Sequence, residues 1–173
     1  TSRDVTDRNY ACQVLLSLCE TVGMRLRRDG QAGSCVAVQL RTSQFETWSH
    51  QMRLASATNV TGELYQAACS LLAQTWDFKT PLRQLGVQVT QLSDGTLRQY
   101  SLFDAADYAR QEKLDTAVDA LREKFGEGAL FRAALLHSDE RMAGGLHKKR
   151  RTGITKPIED EAARIRKKYG NND

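Results

Sequence analysis

The sequence predicts an α+β protein: an antiparallel sheet of three to four strands with two helices on one face, followed by a helical extension and a basic tail. Segments with apolar residues every three or four positions alternate with segments of strict apolar–polar alternation. Their order is helix, strand, strand, helix, strand, which is typical of helices packed on one sheet face. The 173 residues, 40% of them hydrophobic, are sufficient for one such core.

The first helix and a hairpin open the chain. Thr6 or Asp7 can cap the helix, and Gly30 ends it. Strands at 35–43 and 48–55 follow, and the short link between them predicts an antiparallel hairpin.

The second helix is expected from about Asn59 to Trp76, capped by Thr58 or Asn59, and a third strand covers 83–91. His50 shares the apolar side of its strand with large hydrophobic residues. We therefore expect a hydrogen-bonded core histidine and not a metal ligand.

A third helix is predicted at about 107–125, closed by Gly126, and a short apolar run at 130–136 is placed to pack back on it. Pro157 starts a last short helix, whose narrow stripe predicts that it becomes ordered only against a partner. The two helical stripes consist of Leu114, Val118, Leu121 and Phe125, and of Ile158, Ala162, Ile165 and Tyr169. The predicted units are a sheet domain (1–98), a peptide (99–104), a helical extension (105–136) and a tail (137–173).

Charge is distributed unevenly along the chain. Residues 1–136 carry 15 Lys+Arg and 15 Asp+Glu, whereas residues 137–173 carry 10 and 6, so the tail holds the whole excess of +4. This permits a nucleic-acid partner, and a solvated tail explains it equally well.

Other features limit the class of protein. The four cysteines have no metal-site spacing and indicate reduced thiols. No apolar run is long enough to span a bilayer, so we expect a cytoplasmic protein without a membrane partner. The chain does not start with Met, and we expect a fragment or a processed chain.

One face of the predicted sheet carries amides, hydroxyls and guanidiniums without a single Asp or Glu. Such a face presents hydrogen-bond donors, which phosphates require. The alternative is a merely solvated face. The candidate DNA-binding residues are Gln39, Arg41, Ser43, Ser49, Gln51, Arg53, Gln84, Gln88 and Thr90.

The segment 98–104 ends in two adjacent large hydrophobic residues, Leu102 and Phe103. One interpretation places them at the end of the last strand, folded under the sheet. The other is a docking peptide, in which Gln99 supplies hydrogen bonds and the two hydrophobic side chains fill a partner's pocket. The pattern alone favours the first interpretation slightly.

Four segments, in order, resemble the little-finger domain of bacterial Y-family translesion DNA polymerases of the DNA polymerase IV type. They are Arg-Asp-Val-Thr-Asp-Arg at 3–8, Leu-Arg-Gln-Leu-Gly-Val at 82–87, the peptide at 99–104, and the helix at 113–126. The resemblance covers about residues 3–136. It implies a four-stranded sheet whose open face grips the backbones of double-stranded primer-template DNA.

The resemblance also implies a sliding-clamp-binding peptide of the form Gln-x-Ser/Asp-Leu-Phe. Gln99, Ser101, Leu102 and Phe103 fit this form, with Tyr100 where Leu is more usual. This moves the interpretation of the segment toward docking.

The sequence departs from the family's pattern in two ways, which limit what the resemblance implies. The family's first strand would fall before Thr1, so an edge strand is missing or borrowed. The catalytic palm is absent too, so this chain should not polymerise DNA alone. We expect no cofactor and no small-molecule substrate here, whereas a parent polymerase would need Mg²⁺ in its palm.

Two other functions stay open. One is a non-catalytic accessory protein that recruits another polymerase. The other is an RNA-binding α+β domain, which the lack of exposed aromatic residues on the sheet disfavours.

Overall fold

The computed structural model describes residues 4–94 and 105–135, and it has the predicted α+β architecture. Its elements are α1 (Arg8–Arg28), β1 (Ala32–Thr42), β2 (Thr47–Thr58), α2 (Thr61–Thr75), β3 (Leu82–Ser93), α3 (Ala105–Phe125) and two 3-10 turns, Glu127–Ala129 and Ala133–Leu135. Each predicted helix and strand within the described residues is present, with ends that differ by a few positions.

The sheet has three antiparallel strands in the order β2-β1-β3. On the outer side of β3, Val5 and Leu82 form an isolated bridge with N–H···O distances of 2.7 and 2.9 Å. The chain that leads into α1 therefore already pairs with this edge at one position.

Helix α1 begins where the sequence provides a cap. The Oδ2 atom of Asp7 accepts a hydrogen bond from the backbone N–H of Tyr10 at 2.9 Å. Gly30, just beyond the helix, has φ = 64°, a conformation that glycine adopts without steric cost. Asp7 is thus confirmed as the cap, and Gly30 as the end of the helical segment.

The core lies between the sheet and the layer formed by α1 and α2. Val36, Val38 and Leu40 of the central strand are at most 1% exposed, and they belong to one cluster with Leu15 of α1 and Leu64 of α2. Because alternate residues of a strand point to opposite faces, this burial leaves the other face of β1 outside the core.

Two local predictions were wrong. The cap residue of α2 is Val60, which makes no side-chain cap hydrogen bond, and Thr58 instead accepts a bond from the N–H of Val60. His50 is exposed, because β2 is an edge strand that the helix layer covers only in part, leaving Trp48 and Met52 half-buried.

Candidate nucleic-acid interface

The register of the sheet brings the predicted polar residues together on the face opposite the helices. Eight of the nine candidates lie on this face, which we call the open face, in cross-strand rows. The rows are Thr47–Arg41–Gln84, Ser49–Gln39–Gly86, Gln51–Ala37–Gln88 and Arg53–Cys35–Thr90. The ninth, Ser43, lies in the turn that follows β1.

None of the three described strands contains Asp or Glu, so no strand residue brings a carboxylate to the open face. Acidic residues lie just outside the strands: Glu46 precedes β2, Asp94 follows β3, and the Asp4 carboxylate lies 3.0 Å from Arg83 of β3. An anion that approaches this face would meet donors and two guanidinium groups, with no negative charge among the strand residues to repel it.

Arg41 is held in place while part of its hydrogen-bonding capacity is unused. Its guanidinium lies 4.8 Å from the centre of the Phe45 ring, within the range of a cation–π contact. Its Nε is buried and has no hydrogen-bond partner among the described residues. A buried donor left unpaired costs about 1–3 kcal/mol, and an outside acceptor can reach this atom only if the side chain moves.

Phe45 itself stands in an unusual conformation. It has φ = 68° and is 73% exposed at the tip of the β1–β2 hairpin. Sequence reasoning placed Phe45 only in the link between strands and missed its contact with Arg41. The apolar–polar alternation of the strands does not predict this contact, because the positive φ of Phe45 breaks the alternation.

The side chain of Arg53 on β2 is held by a residue of β3, at the opposite edge of the sheet. Its Nε donates to Oε1 of Gln91 on β3 at 3.1 Å, and the Ser34 hydroxyl donates to the same oxygen at 3.2 Å. The register of β1 against β2 is irregular between Gly33 and Cys35. Sequence alternation could not reveal this contact, because the irregularity and the positive φ of Gln91 (54°) displace side chains from their regular positions.

In the middle of the open face, side chains lie close to the sheet. The side chain of Gln39 lies over Gly86 on the neighbouring strand, where a Cβ atom would sit 3.5 Å from Cβ of Gln39. Glycine at this row lets the amide lie close to the sheet, and Gln39 remains exposed.

A second polar region lies on the helix side, between α1 and α3. The side chain of Arg27 in α1 is 8% exposed and makes two hydrogen bonds to Asp119, at 2.6 and 3.1 Å. Its Nη1 donates to the backbone oxygen of Asn59 at 2.7 Å and lies 3.3 Å from Asp115. The sequence analysis did not identify Arg27 as part of such a cluster.

Asp115 of α3 connects three parts of the molecule. Besides Arg27, its carboxylate accepts from the backbone N–H of Thr61, the first residue of α2, at 2.8 Å, and from Arg132 at 2.9 Å. It therefore satisfies a free N–H at the start of α2, which explains why that helix needs no cap of its own.

Glu20 of α1 completes the contact with the extension. It accepts from Arg122 at 3.2 Å and from Arg132 at 2.9 Å. Arg122 also donates to the carbonyl oxygen of Leu130, and the amide of Gln13 donates to that of Ala134. The segment after α3 thus packs back on α3, as predicted, and also on α1.

Neither Cys19 nor Cys69 is activated as a nucleophile, because burial disfavours the thiolate of each. Burial raises the pKa of Cys19 far above its usual range and raises the pKa of Cys69 to about 11, although the sulfurs of Cys12 and Cys69 are 3.8 Å apart. Within residues 4–94 and 105–135, no group of three or more His, Cys, Asp or Glu side chains is placed to hold a metal ion.

The predicted clamp-binding residues Gln99, Ser101, Leu102 and Phe103 lie outside the described residues, as does the basic tail. No helix in the described part of the chain is long and apolar enough to cross a membrane.

The antiparallel sheet with two helices on one face makes the described part of the chain an α+β domain, and no strand residue brings a carboxylate to the opposite face. Residues 1–102 match the impB/mucB/samB family C-terminal domain, and the chain belongs to this family, the C-terminal region of Y-family polymerases. It is 35% identical over 140 residues to DNA polymerase IV of Clostridium acetobutylicum, and 39% identical over 126 residues to DNA polymerase IV 2 of Bacillus subtilis. These alignments cover 81% and 71% of the chain but 35% and 30% of those relatives, so it spans about a third of their length.

Proposed function

We propose that this chain is the DNA-gripping and clamp-docking C-terminal portion of a lesion-bypass DNA polymerase. The observation that carries the proposal is the open face of the three-stranded sheet, where the described strand residues present two guanidiniums and a set of amides and hydroxyls and no carboxylate. Arg41, whose guanidinium packs on the Phe45 ring and whose Nε has no hydrogen-bond partner among the described residues, is the open-face arginine that we expect to meet a phosphate.

Double-stranded primer-template DNA is the ligand that fits such a face. Amide, hydroxyl and guanidinium donors spread over three strands match a row of phosphates, and phosphate contacts fix position without reading sequence. This mode of binding suits a polymerase that must hold a duplex of any sequence beside a damaged template base. Polymerisation itself, with its Mg²⁺, belongs in this proposal to a palm outside this chain.

The clamp-docking part of the proposal rests on the peptide at 99–103. Adjacent residues on a strand point to opposite faces, so burying Leu102 and Phe103 in one domain's core is awkward. A groove on a sliding clamp can accept both. Burying two such side chains contributes about 3–6 kcal/mol before ordering costs, enough for micromolar docking that can be exchanged.

The DNA-binding proposal is tested with the double variant Arg41→Ala/Arg53→Ala. We expect weaker binding to every duplex sequence by a similar factor, and a slope of log affinity against log salt that falls by up to about 2 units. Fluorescence anisotropy with two unrelated duplexes at several salt concentrations measures both quantities.

The matched control is Arg25→Ala/Arg28→Ala, which removes the same charge from exposed positions in the last turn of α1. It should leave the salt slope close to that of the parent chain. A loss restricted to one duplex sequence, or equal effects of the two double variants, would reject the open face as the phosphate-binding surface.

The clamp proposal has its own test. Titration of the full chain against a bacterial sliding clamp should give micromolar binding that Leu102→Ala/Phe103→Ala abolishes. Equal binding by the variant and the parent would remove this part of the proposal and leave the DNA-binding part unaffected.

A further inference from the structure

Phe45, at the tip of the β1–β2 hairpin, occupies an unusual position for an apolar residue. It combines φ = 68° with 73% exposure. Hairpin positions with positive φ are usually taken by glycine, asparagine or aspartate, because most other side chains are strained there. An aromatic ring that stays in water also adds little to the stability of the fold. The ring at this position therefore indicates a ligand that covers it.

The two other non-glycine residues with positive φ in the described part of the chain have contacts that offset the strain. Phe78 packs against the core, and its ring centre lies 5.0 Å from that of Trp76. Gln91 accepts a hydrogen bond from Arg53 at 3.1 Å. Phe45, by contrast, remains mostly exposed. Its side chain is the one whose place the packing of the domain does not explain.

The backbone of the hairpin tip holds Phe45 in a defined place. Its N–H donates to the carbonyl oxygen of Thr42 at 3.2 Å, and the N–H of Thr42 donates to the carbonyl oxygen of Glu46 at 3.0 Å. The hydroxyl of Thr42 accepts from the N–H of Gln44 at 3.2 Å, and Thr42 is 3% exposed. A group that is already held in place loses little conformational entropy when a ligand binds to it.

The contact of the ring with the open face indicates which ligand it fits. Arg41 lies in the first cross-strand row, Thr47–Arg41–Gln84, and its guanidinium lies 4.8 Å from the centre of the Phe45 ring. In a DNA duplex the bases stack on one another, so unpaired nucleotides are the ones that offer a free base face. An aromatic ring in contact with a guanidinium matches the base and the phosphate of such a nucleotide.

We propose that Phe45 stacks on an unpaired base of the single-stranded template next to the duplex. The proposal rests on the proposed DNA-binding function of the open face, and it adds a contact that distinguishes primer-template from blunt duplex DNA. Stacking tolerates any sequence, because every base has a π face. The neighbouring Glu46 is exposed, and its charge does not oppose contact with an uncharged base.

Two duplexes that differ only in their single-stranded overhangs test the proposal. One overhang consists of thymidine nucleotides, and the other has the same number of phosphates on abasic sugars. Both offer the same charge, so the ratio of the two affinities measures contact with the bases. We expect the parent chain to bind the thymidine overhang about tenfold more tightly, which corresponds to about 1.4 kcal/mol. Fluorescence anisotropy measures both affinities.

Variants of Phe45 assign the ratio to its ring. Phe45→Leu keeps an apolar side chain but lacks a flat ring, so it should bring the ratio close to one, whereas Phe45→Trp should preserve it. Phe45→Gly should also bring the ratio close to one. Glycine adopts φ = 68° without strain, so that loss cannot be attributed to misfolding of the tip.

The matched control is Phe125→Leu. Phe125 is 64% exposed and also has a cation near its ring, the Nζ of Lys124 at 5.3 Å from the ring centre. It lies at the end of α3, on the helix side of the domain. This variant should keep the ratio of the parent chain.

A ratio close to one in the parent chain, or a ratio that Phe45→Leu does not change, would overturn the stacking proposal. Duplex binding through the open face would stand in either case. If the parent chain binds neither DNA, the proposed function itself fails, and the stacking proposal fails with it.

Discussion

The open face and the α1–α3 interface both use arginine, in opposite electrostatic settings. At the interface, Arg27 and Arg122 meet carboxylates at 2.6 and 3.2 Å, and their side chains are 8% and 13% exposed. On the open face, Arg41 contacts an aromatic ring and its Nε has no partner among the described residues. The arginines with carboxylate partners hold the fold together, whereas the proposed function assigns Arg41 to contact with phosphate.

The largest effect should come from Arg27→Met. This change leaves Asp119 without its arginine partner and leaves Asp115 paired with Arg132 alone, and breaking a buried pair from one side costs about 3–5 kcal/mol. Urea unfolding followed by circular dichroism measures the loss.

The control for Arg27 is Arg28→Ala. Arg28 pairs with Asp29 at 3.1 Å, but the two side chains are 67% and 58% exposed, so its loss should cost less than about 1 kcal/mol. If the two variants unfold at the same urea concentration, the interface does not stabilise the fold as described.

A smaller effect is expected for Glu20→Gln. The amide keeps the shape of the side chain and removes the charge that Arg122 and Arg132 share. Hydrogen bonds to charged groups contribute about 1.5–3 kcal/mol, and Arg132 remains partly solvated. We therefore expect a loss of about 1–2 kcal/mol in the free energy of unfolding. Thermal unfolding that matches the parent would show that this part of the interface is dispensable.

Arg41→Met should have the smallest effect on folding. The change removes a buried donor without a partner, a gain, and loses the contact with Phe45, a cost of about 0.5–1 kcal/mol. These terms nearly cancel, so the free energy of unfolding should stay within about 1 kcal/mol of the parent. A loss of unfolding free energy as large as that of Arg27→Met, in the same urea experiment, would make Arg41 a structural residue. It would contradict the contrast between the open face and the α1–α3 interface.

The open face was predictable from sequence because successive side chains of a regular strand point to opposite faces of the sheet. Once Val36, Val38 and Leu40 are assigned to the core, Gln39 and Arg41 must point the other way. The pairing register of β1 with β2 then follows from the short hairpin. Irregular positions such as Phe45 are not predicted by the alternation.

The role of α3 could not be predicted in the same way. Its apolar stripe predicts burial of Leu114 and Leu121, whereas the structure buries Asp115 and exposes both leucines. Two of the three partners of Asp115, Arg27 and Thr61, are 88 and 54 positions away in the chain. No local periodicity records such contacts, since they depend on how three helices meet.

The most direct test of the central claim places a carboxylate on each side of the sheet. Gln39→Glu adds one negative charge, with little change of shape, in the middle of the open face, and Gln66→Glu adds one at an exposed position of α2. We expect Gln39→Glu to weaken duplex binding by about 1 kcal/mol, roughly fivefold, at low salt. Gln66→Glu should bind as the parent does. Equal affinities for the two variants would show that the open face does not meet DNA and would contradict the account.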